Sequence, residues 1–168
     1  QFLPMKVLLK GLPRLVEGMS RKGLADAADG IITTDSFRKI SSRSFSVGGK
    51  KVYITAIAKG AGMIKPDMAN MLCYIMTDAN ISSSAMRKAL AAASEVSFNA
   101  MSVDGDMSTN DTVLILANGR AGNRKIGENG REFASFRKHL SNVCGDLAKM
   151  IVRDGEGASK FIEVRVKG

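Results

Sequence analysis

The sequence predicts an α/β domain with helices packed on a mixed sheet. Two observations carry that expectation. Segments with apolar residues at helical spacing alternate along the chain with apolar runs of strand length. The 168 residues are 45% hydrophobic and 24% charged, the balance of one folded domain rather than a disordered chain.

The elements follow in order. Met5 to Met19 sets Leu8, Leu9, Leu12, Leu15, Val16 and Met19 on one helical face, with Pro4 near the start and Pro13 as a candidate kink. A short helix is predicted over Leu24 to Asp29. Arg43 to Val47 and Lys51 to Ala58 read as strands, and Gly48-Gly49 between them is a hairpin signal. Met71 to Met76 is an apolar run of strand length. Ser82 to Val96 is a helix, with Ser82, Ser83 or Ser84 as its cap. Thr112 to Gly119 reads as a buried strand ending at a glycine. Asn129 to Val152 carries Phe133, Phe136, Leu140, Val143, Leu147, Met150 and Ile151 at helical spacing. Lys160 to Val166 alternates apolar and polar residues as a half-buried strand should, and the chain runs out at Gly168.

Composition excludes several classes. No stretch approaches the roughly 20 apolar residues needed to cross a bilayer. The opening "QFLPMKVLLKGLPRLVEGM" has too short an apolar core and too many charges for a signal peptide. It lacks an initiator Met and enters a helix at once, so a single-domain fragment, 1–168, of a longer protein is expected. Cys73 and Cys144 match no metal spacing and read as buried reduced thiols, which fits a reducing compartment. His139 is the one histidine and reads as solvated on the polar side of its helix, so a His-dependent triad is not expected. The net charge of +9 permits nucleic-acid binding, but the basic residues are scattered, with no Trp and two Tyr for base stacking. No nucleic acid and no membrane are expected as partners. A few of these cations suit a substrate that carries carboxylates.

Three segments could carry chemistry. "KGAGM", from Lys59, is a poor phosphate loop: its lysine precedes the glycines, and Lys65 stands where G-x-G-x-x-G needs its third Gly. Gly60 and Gly62 more simply allow a sharp turn. "VDGDMSTND", from Val103, resembles the start of a calcium loop, but its Gly falls second rather than sixth and Ile115 replaces the bidentate Glu. A polar turn capping a strand is expected there, and no metal. "VRDGEGASKF" sets Glu156 between two glycines after a long helix. It reads as a helix stop or as a carboxylate held to grip a substrate amine.

Taken together, "LPMKVLLKGLP", "GIITTDSF", "AIAKGAGMIKPDMANML", "SFNAMSVDGDMSTNDT" and "IVRDGEGASKFIEV" resemble the ornithine acetyltransferase (glutamate N-acetyltransferase) family over Leu3 to Val166. The resemblance implies an α/β fold of that family's own type, truncated here at both ends, with N-terminal-nucleophile chemistry. It implies self-cleavage within "KPDMANML", between Ala69 and residue 70. Residues 1–69 then end the family's α chain, and 70–168 begin its β chain. A freed threonine would take acetyl from N-acetylornithine and pass it to glutamate by a ping-pong route in arginine biosynthesis. No cofactor is implied, though acetyl-CoA serves some members as donor. The implied assembly is a heterotetramer of α and β chains. The implied compartment is the cytoplasm, or the mitochondrial matrix in a fungus.

Carried over by position, Lys59 matches a substrate-binding lysine and Thr33 a substrate contact, with Thr34 as its neighbouring alternative. Glu156 matches the carboxylate that receives the substrate amine. The nucleophile position holds Asn70 where the family pattern Met-Ala-Thr-Met-Leu has Thr. A carboxamide has no hydroxyl to attack Ala69 or to carry acetyl. This chain as written is therefore expected to be inactive. The alternative is a non-catalytic, uncleaved assembly or binding subunit with the same fold. The family's oxyanion-hole segment lies ahead of Leu3, and its C-terminal substrate contacts lie beyond Gly168.

Overall fold

The computed structural model describes residues 2–20, 22–66 and 68–166, with only the backbone described at Met68 and Ala69. In chain order the elements are α1 (Met5–Glu17), α2 (Leu24–Ile31), β1 (Lys39–Val47), β2 (Lys50–Lys59), β3 (Ile64–Lys65) and β4 (Met68–Ala69). β5 (Leu72–Thr77), α3 (Ser83–Glu95), a 3-10 turn (Phe98–Ala100), β6 (Thr112–Ala117) and α4 (Arg131–Arg153) follow.

β1, β2, β5 and β6 form one sheet in that order. The first three are antiparallel, and β6 joins β5 in parallel, so the sheet is mixed as expected. The β1–β2 turn places both Gly48 and Gly49 at positive φ, +56° and +78°, the conformation a tight hairpin needs. A parallel neighbour requires a crossover, and α3 lies in the one between β5 and β6. The Ser82 hydroxyl caps α3 by accepting the Ala85 N–H at 3.2 Å.

The core lies between the sheet and the α3–α4 pair. α4 buries Phe133, Phe136, Leu140, Val143, Leu147 and Ile151 along one face. Val52, Ile54 and Ala56 of β2 join that core with Cys73 and Ile75 of β5. α3 fully buries Ala85, Ala89 and Ala93, small side chains that let it lie close against α4, and packs Met86 and Leu90 at the core's margin. α2 packs on β2.

Three expectations need correction. Residues 160–166 form no strand. The alternation is present, but no strand in the described residues pairs with it, and Ile162, Val164 and Val166 stand exposed. Gly168 lies outside the described residues. β6 is an edge strand rather than a buried one, with Ile115 inward and Leu114 and Leu116 exposed. α1 forms where expected, with Pro13 inside it, and its apolar stripe is exposed. His139 is packed rather than solvated. Its ring stacks on Phe45, with centroids 4.4 Å apart and planes 8° apart, and its buried Nδ1 has no hydrogen-bond partner among the described residues. Burial, then the charges of Lys138 and Arg43, hold its pKa below the ordinary histidine value.

Cys73 and Cys144 are buried free thiols. Burial pushes both thiols up, Cys144 to about 12, so neither forms a nucleophilic thiolate near neutrality.

Candidate functional site

β2 delivers Lys59 to the start of a tight turn. Lys59 is buried at the level of its partner Leu72 on β5, and it forms no ion pair with any carboxylate among the described residues. Gly60 follows at φ +151°, where the chain folds back on itself. A Cβ there would stand 3.3 Å from the Met71 Cβ and 3.4 Å from the Asn70 carbonyl oxygen. The glycine thus lets the outgoing strand lie against the joint at residue 70.

Gly62 makes a second close approach. A Cβ there would meet the Glu156 carboxylate at 3.0–3.2 Å, so the exposed acid of the 155–157 loop lies directly over this turn. The Glu156 N–H donates to the Ala61 carbonyl at 2.7 Å and docks the loop there. Met63 then takes a left-handed conformation, φ +53°, rare for a side chain of its kind. β3 and β4 pair as a two-residue ladder, Ile64 opposite Ala69 and Lys65 opposite Met68. The Asn70 N–H closes that hairpin by donating to the Met63 carbonyl at 2.8 Å. Asp67, within "KPDMANML", lies outside the described residues.

Behind the turn is a buried triad that the sequence reading did not single out. The fully buried Lys39 ammonium donates to Asp35 at 2.6 Å and to Asp154 at 2.5 Å. Asp35 also accepts the Gly60 N–H at 2.7 Å and the Thr33 N–H at 3.3 Å. Asp154 accepts the Ser36 N–H at 3.0 and 3.1 Å through its two oxygens. Burial pushes the Asp35 carboxyl up, but the Gly60 N–H, Lys39 and the Thr33 N–H more than offset it, and the group is held below its ordinary value. Thr33 itself is exposed beside this network.

The backbones of the candidates come to one small region. Thr33 reaches it through Asp35, and Lys59 precedes Gly60. Asn70 lies against Gly60, and Glu156 lies on Gly62. "VDGD" also enters here as a polar turn. The Asp104 carboxylate caps the N–H groups of Met63 and Ile64. Among the described residues no group of three or more His, Cys, Asp or Glu is placed to hold a metal ion. A groove of about 280 Å³, lined in part by Ser97, Met101, Lys149 and Phe161, contains none of the four candidates. No helix in the described residues is long and apolar enough to cross a membrane. Asp35 and Asp104 stood inside motifs noticed for other residues. Lys39 carried no signal, because it is one basic residue among several in "FRKISSR".

Comparison with known proteins gives concordant findings. The family model described as ArgJ family matches residues 1–168. The arginine biosynthesis bifunctional protein ArgJ of Geobacter sulfurreducens is 48% identical over 166 residues, covering 99% of this chain and 42% of the relative. The mitochondrial protein of the same name from Dictyostelium discoideum is 47% identical over 169 residues, covering 100% and 38%. The crystal structure of ArgJ from Bacillus halodurans aligns with TM-score 0.50 at 46% identity, covering 52% of this chain and 41% of that one. The chain spans about two fifths of the length of these relatives.

Proposed function

The chain belongs to the ArgJ family, and on that premise we propose that it carries the self-cleaving joint and part of the substrate site of an arginine-biosynthesis acetyltransferase. With a threonine at position 70, the hydroxyl oxygen attacks the Ala69 carbonyl and the peptide C–N bond breaks. The hydroxyl proton passes to the departing nitrogen. Water then hydrolyses the ester, leaving a carboxylate at Ala69 and a free α-amine on residue 70. That amine accepts the hydroxyl proton as the oxygen attacks the acetyl group of N-acetylornithine, and ornithine leaves. The amine of glutamate next takes the acetyl group, giving N-acetylglutamate.

The carrying observation is the meeting of Gly60, Asn70 and Glu156 around one turn. Lys59 supplies a fixed cation for an amino-acid carboxylate, Glu156 an anion for its amine, and Thr33 a further substrate contact. Acetyl-CoA is a second donor of the same acetyl chemistry. In the complete enzyme, cleaved α and β chains assemble as a heterotetramer. The proposed compartment is the bacterial cytoplasm or a mitochondrial matrix, and the Dictyostelium relative is named mitochondrial.

Asn70 itself supports a second reading for the chain as written, an uncleaved and non-catalytic binding subunit. The test joins this chain to the flanking segments of the Geobacter sulfurreducens relative. In that chimera Asn70→Thr is expected to cleave after Ala69, seen by intact mass, and to transfer acetyl from acetylornithine to glutamate. The Asn70 chimera is expected to stay whole. Absence of cleavage and transfer in a folded Asn70→Thr chimera would leave the second reading standing.

A further inference from the structure

The geometry points to Asp104 as the positioning residue of the joint: its carboxylate sets the Met63–Ile64 turn so that the Met63 carbonyl holds the nitrogen of residue 70. This rests on the self-cleavage function proposed above and assigns a part of it that no substrate contact supplies.

Both oxygens of Asp104 are engaged. Oδ2 accepts the Met63 N–H at 2.6 Å and Oδ1 the Ile64 N–H at 3.0 Å. Oδ1 also accepts the Asp106 N–H at 3.1 Å, which stiffens its own loop. The loop is fastened to the same turn from the other side. The Val103 N–H and the Ser102 hydroxyl donate to the Ile64 carbonyl at 3.0 and 3.4 Å. Met63 is thereby kept in a left-handed conformation it would otherwise rarely adopt. In that conformation its carbonyl receives the N–H of residue 70 at 2.8 Å. The carboxyl of Asp104 is held below its ordinary value, since the N–H groups of Asp106, Met63 and Ile64 outweigh its partial desolvation.

The bonded nitrogen is the one that changes chemistry. Before cleavage, the N–H bond to Met63 fixes the plane of the Ala69–residue 70 peptide and so the face open to the hydroxyl. When the C–N bond breaks, that nitrogen gains the hydroxyl proton and becomes an amine. One of its N–H bonds stays on the Met63 carbonyl, which turns its lone pair toward the hydroxyl of the same residue. A carbonyl acceptor also favours the protonated amine.

The first test uses this chain with Asn70 in place and reads hydrogen exchange at the Asn70 amide. Asp104→Ala is expected to speed it at least about tenfold while the amides of Leu140 and Leu147 in α4 keep their protection. If those core amides also lose protection, Asp104→Asn, which keeps one acceptor, is read instead and should fall between the two. The second test uses the Asn70→Thr chimera. Adding Asp104→Ala should slow cleavage by about ten- to a hundredfold, the scale of a misplaced reacting group. Residual transfer should show a lower kcat at similar KM, with the acid limb of its pH profile moved to lower pH. Unchanged exchange at Asn70, or cleavage as fast as in the parent chimera, would overturn the role of Asp104. If the parent chimera itself does not cleave, the self-cleavage function fails, while the exchange experiment still decides whether Asp104 holds this nitrogen.

Discussion

Lys39 is charged and fully buried, and its two partners differ from the exposed pairs of this molecule in what their loss would do. Removing one member of a buried pair costs about 3–5 kcal/mol, because the other charge stays behind unsolvated. An exposed pair such as Arg38–Asp29 is worth about 1 kcal/mol or less. Lys39→Ala is therefore expected to lower the urea midpoint far more than Asp29→Ala. Equal midpoints would show that the triad contributes nothing beyond a surface pair. Asp35 adds a pH signature. Its folded pKa lies below the unfolded one, so the unfolded chain binds the proton first as pH falls. Its stabilisation is present above the ordinary value of 3.8 and is lost as pH falls through the lower folded value. The melting-temperature gap between the wild type and Asp35→Asn should accordingly narrow in acid, and a gap that widens there would refute the assignment. The triad was not legible in the sequence for a physical reason. Which of Arg38, Lys39 and Arg43 faces inward depends on strand register and on Asp154, a residue more than a hundred positions away. By contrast, Glu156 and Lys59 stood in motifs that singled them out, and both lie at or beside the Gly60–Gly62 turn.

At the scale of elements, local signals held, and the apolar runs formed paired strands everywhere except at residues 160–166. The Gly48-Gly49 turn, the Ser82 cap and the α4 stripe each depend on residues within one or two turns, and each forms where expected. The alternation in residues 160–166 states what a strand would bury, but only a neighbouring edge makes it one. Val113 to Ala117 is an apolar run that pairs with β5, yet its position at the edge of the described sheet leaves only Ile115 buried. The site is likewise made by elements meeting, chiefly the 103–106 and 155–157 loops against the Gly60–Met63 turn. Gly155 reports that meeting. A Cβ there would stand 2.7 Å from Val103 Cγ1, closer than packed atoms tolerate. Gly155→Ala should cost about 1–3 kcal/mol by overpacking. Val103→Ala should recover part of that loss in the double variant, because it removes the closest of the conflicting atoms and leaves the Val152 carbonyl oxygen at 3.2 Å and Ala158 Cβ at 3.3 Å. Additive losses in thermal unfolding would mean the two loops do not bear on each other.

At the scale of the whole molecule, apolar surface remains without cover. Leu8, Leu12 and Leu15 of α1, Leu114 and Leu116 of β6, and Ile162 and Val164 of the last described segment are all exposed. A folded chain with several such patches and an open sheet edge tends to associate with itself. Opposing this is a net charge of +9, which repels like molecules over a Debye length of about 10 Å at 0.1 M salt. The two effects respond oppositely to salt. Screening weakens the repulsion and leaves hydrophobic attraction in place, so association should increase as salt rises. An assembly held by ion pairs would instead loosen. Light scattering over a dilution series is expected to show a mass that grows with protein and salt concentration. Leu8→Glu with Leu12→Glu, one helical turn apart on α1, should lower that mass at every salt concentration, because α1 buries nothing that the change could unfold. A monodisperse monomer at high salt, or an assembly that the paired glutamates leave untouched, would exclude the α1 face as the surface that drives association.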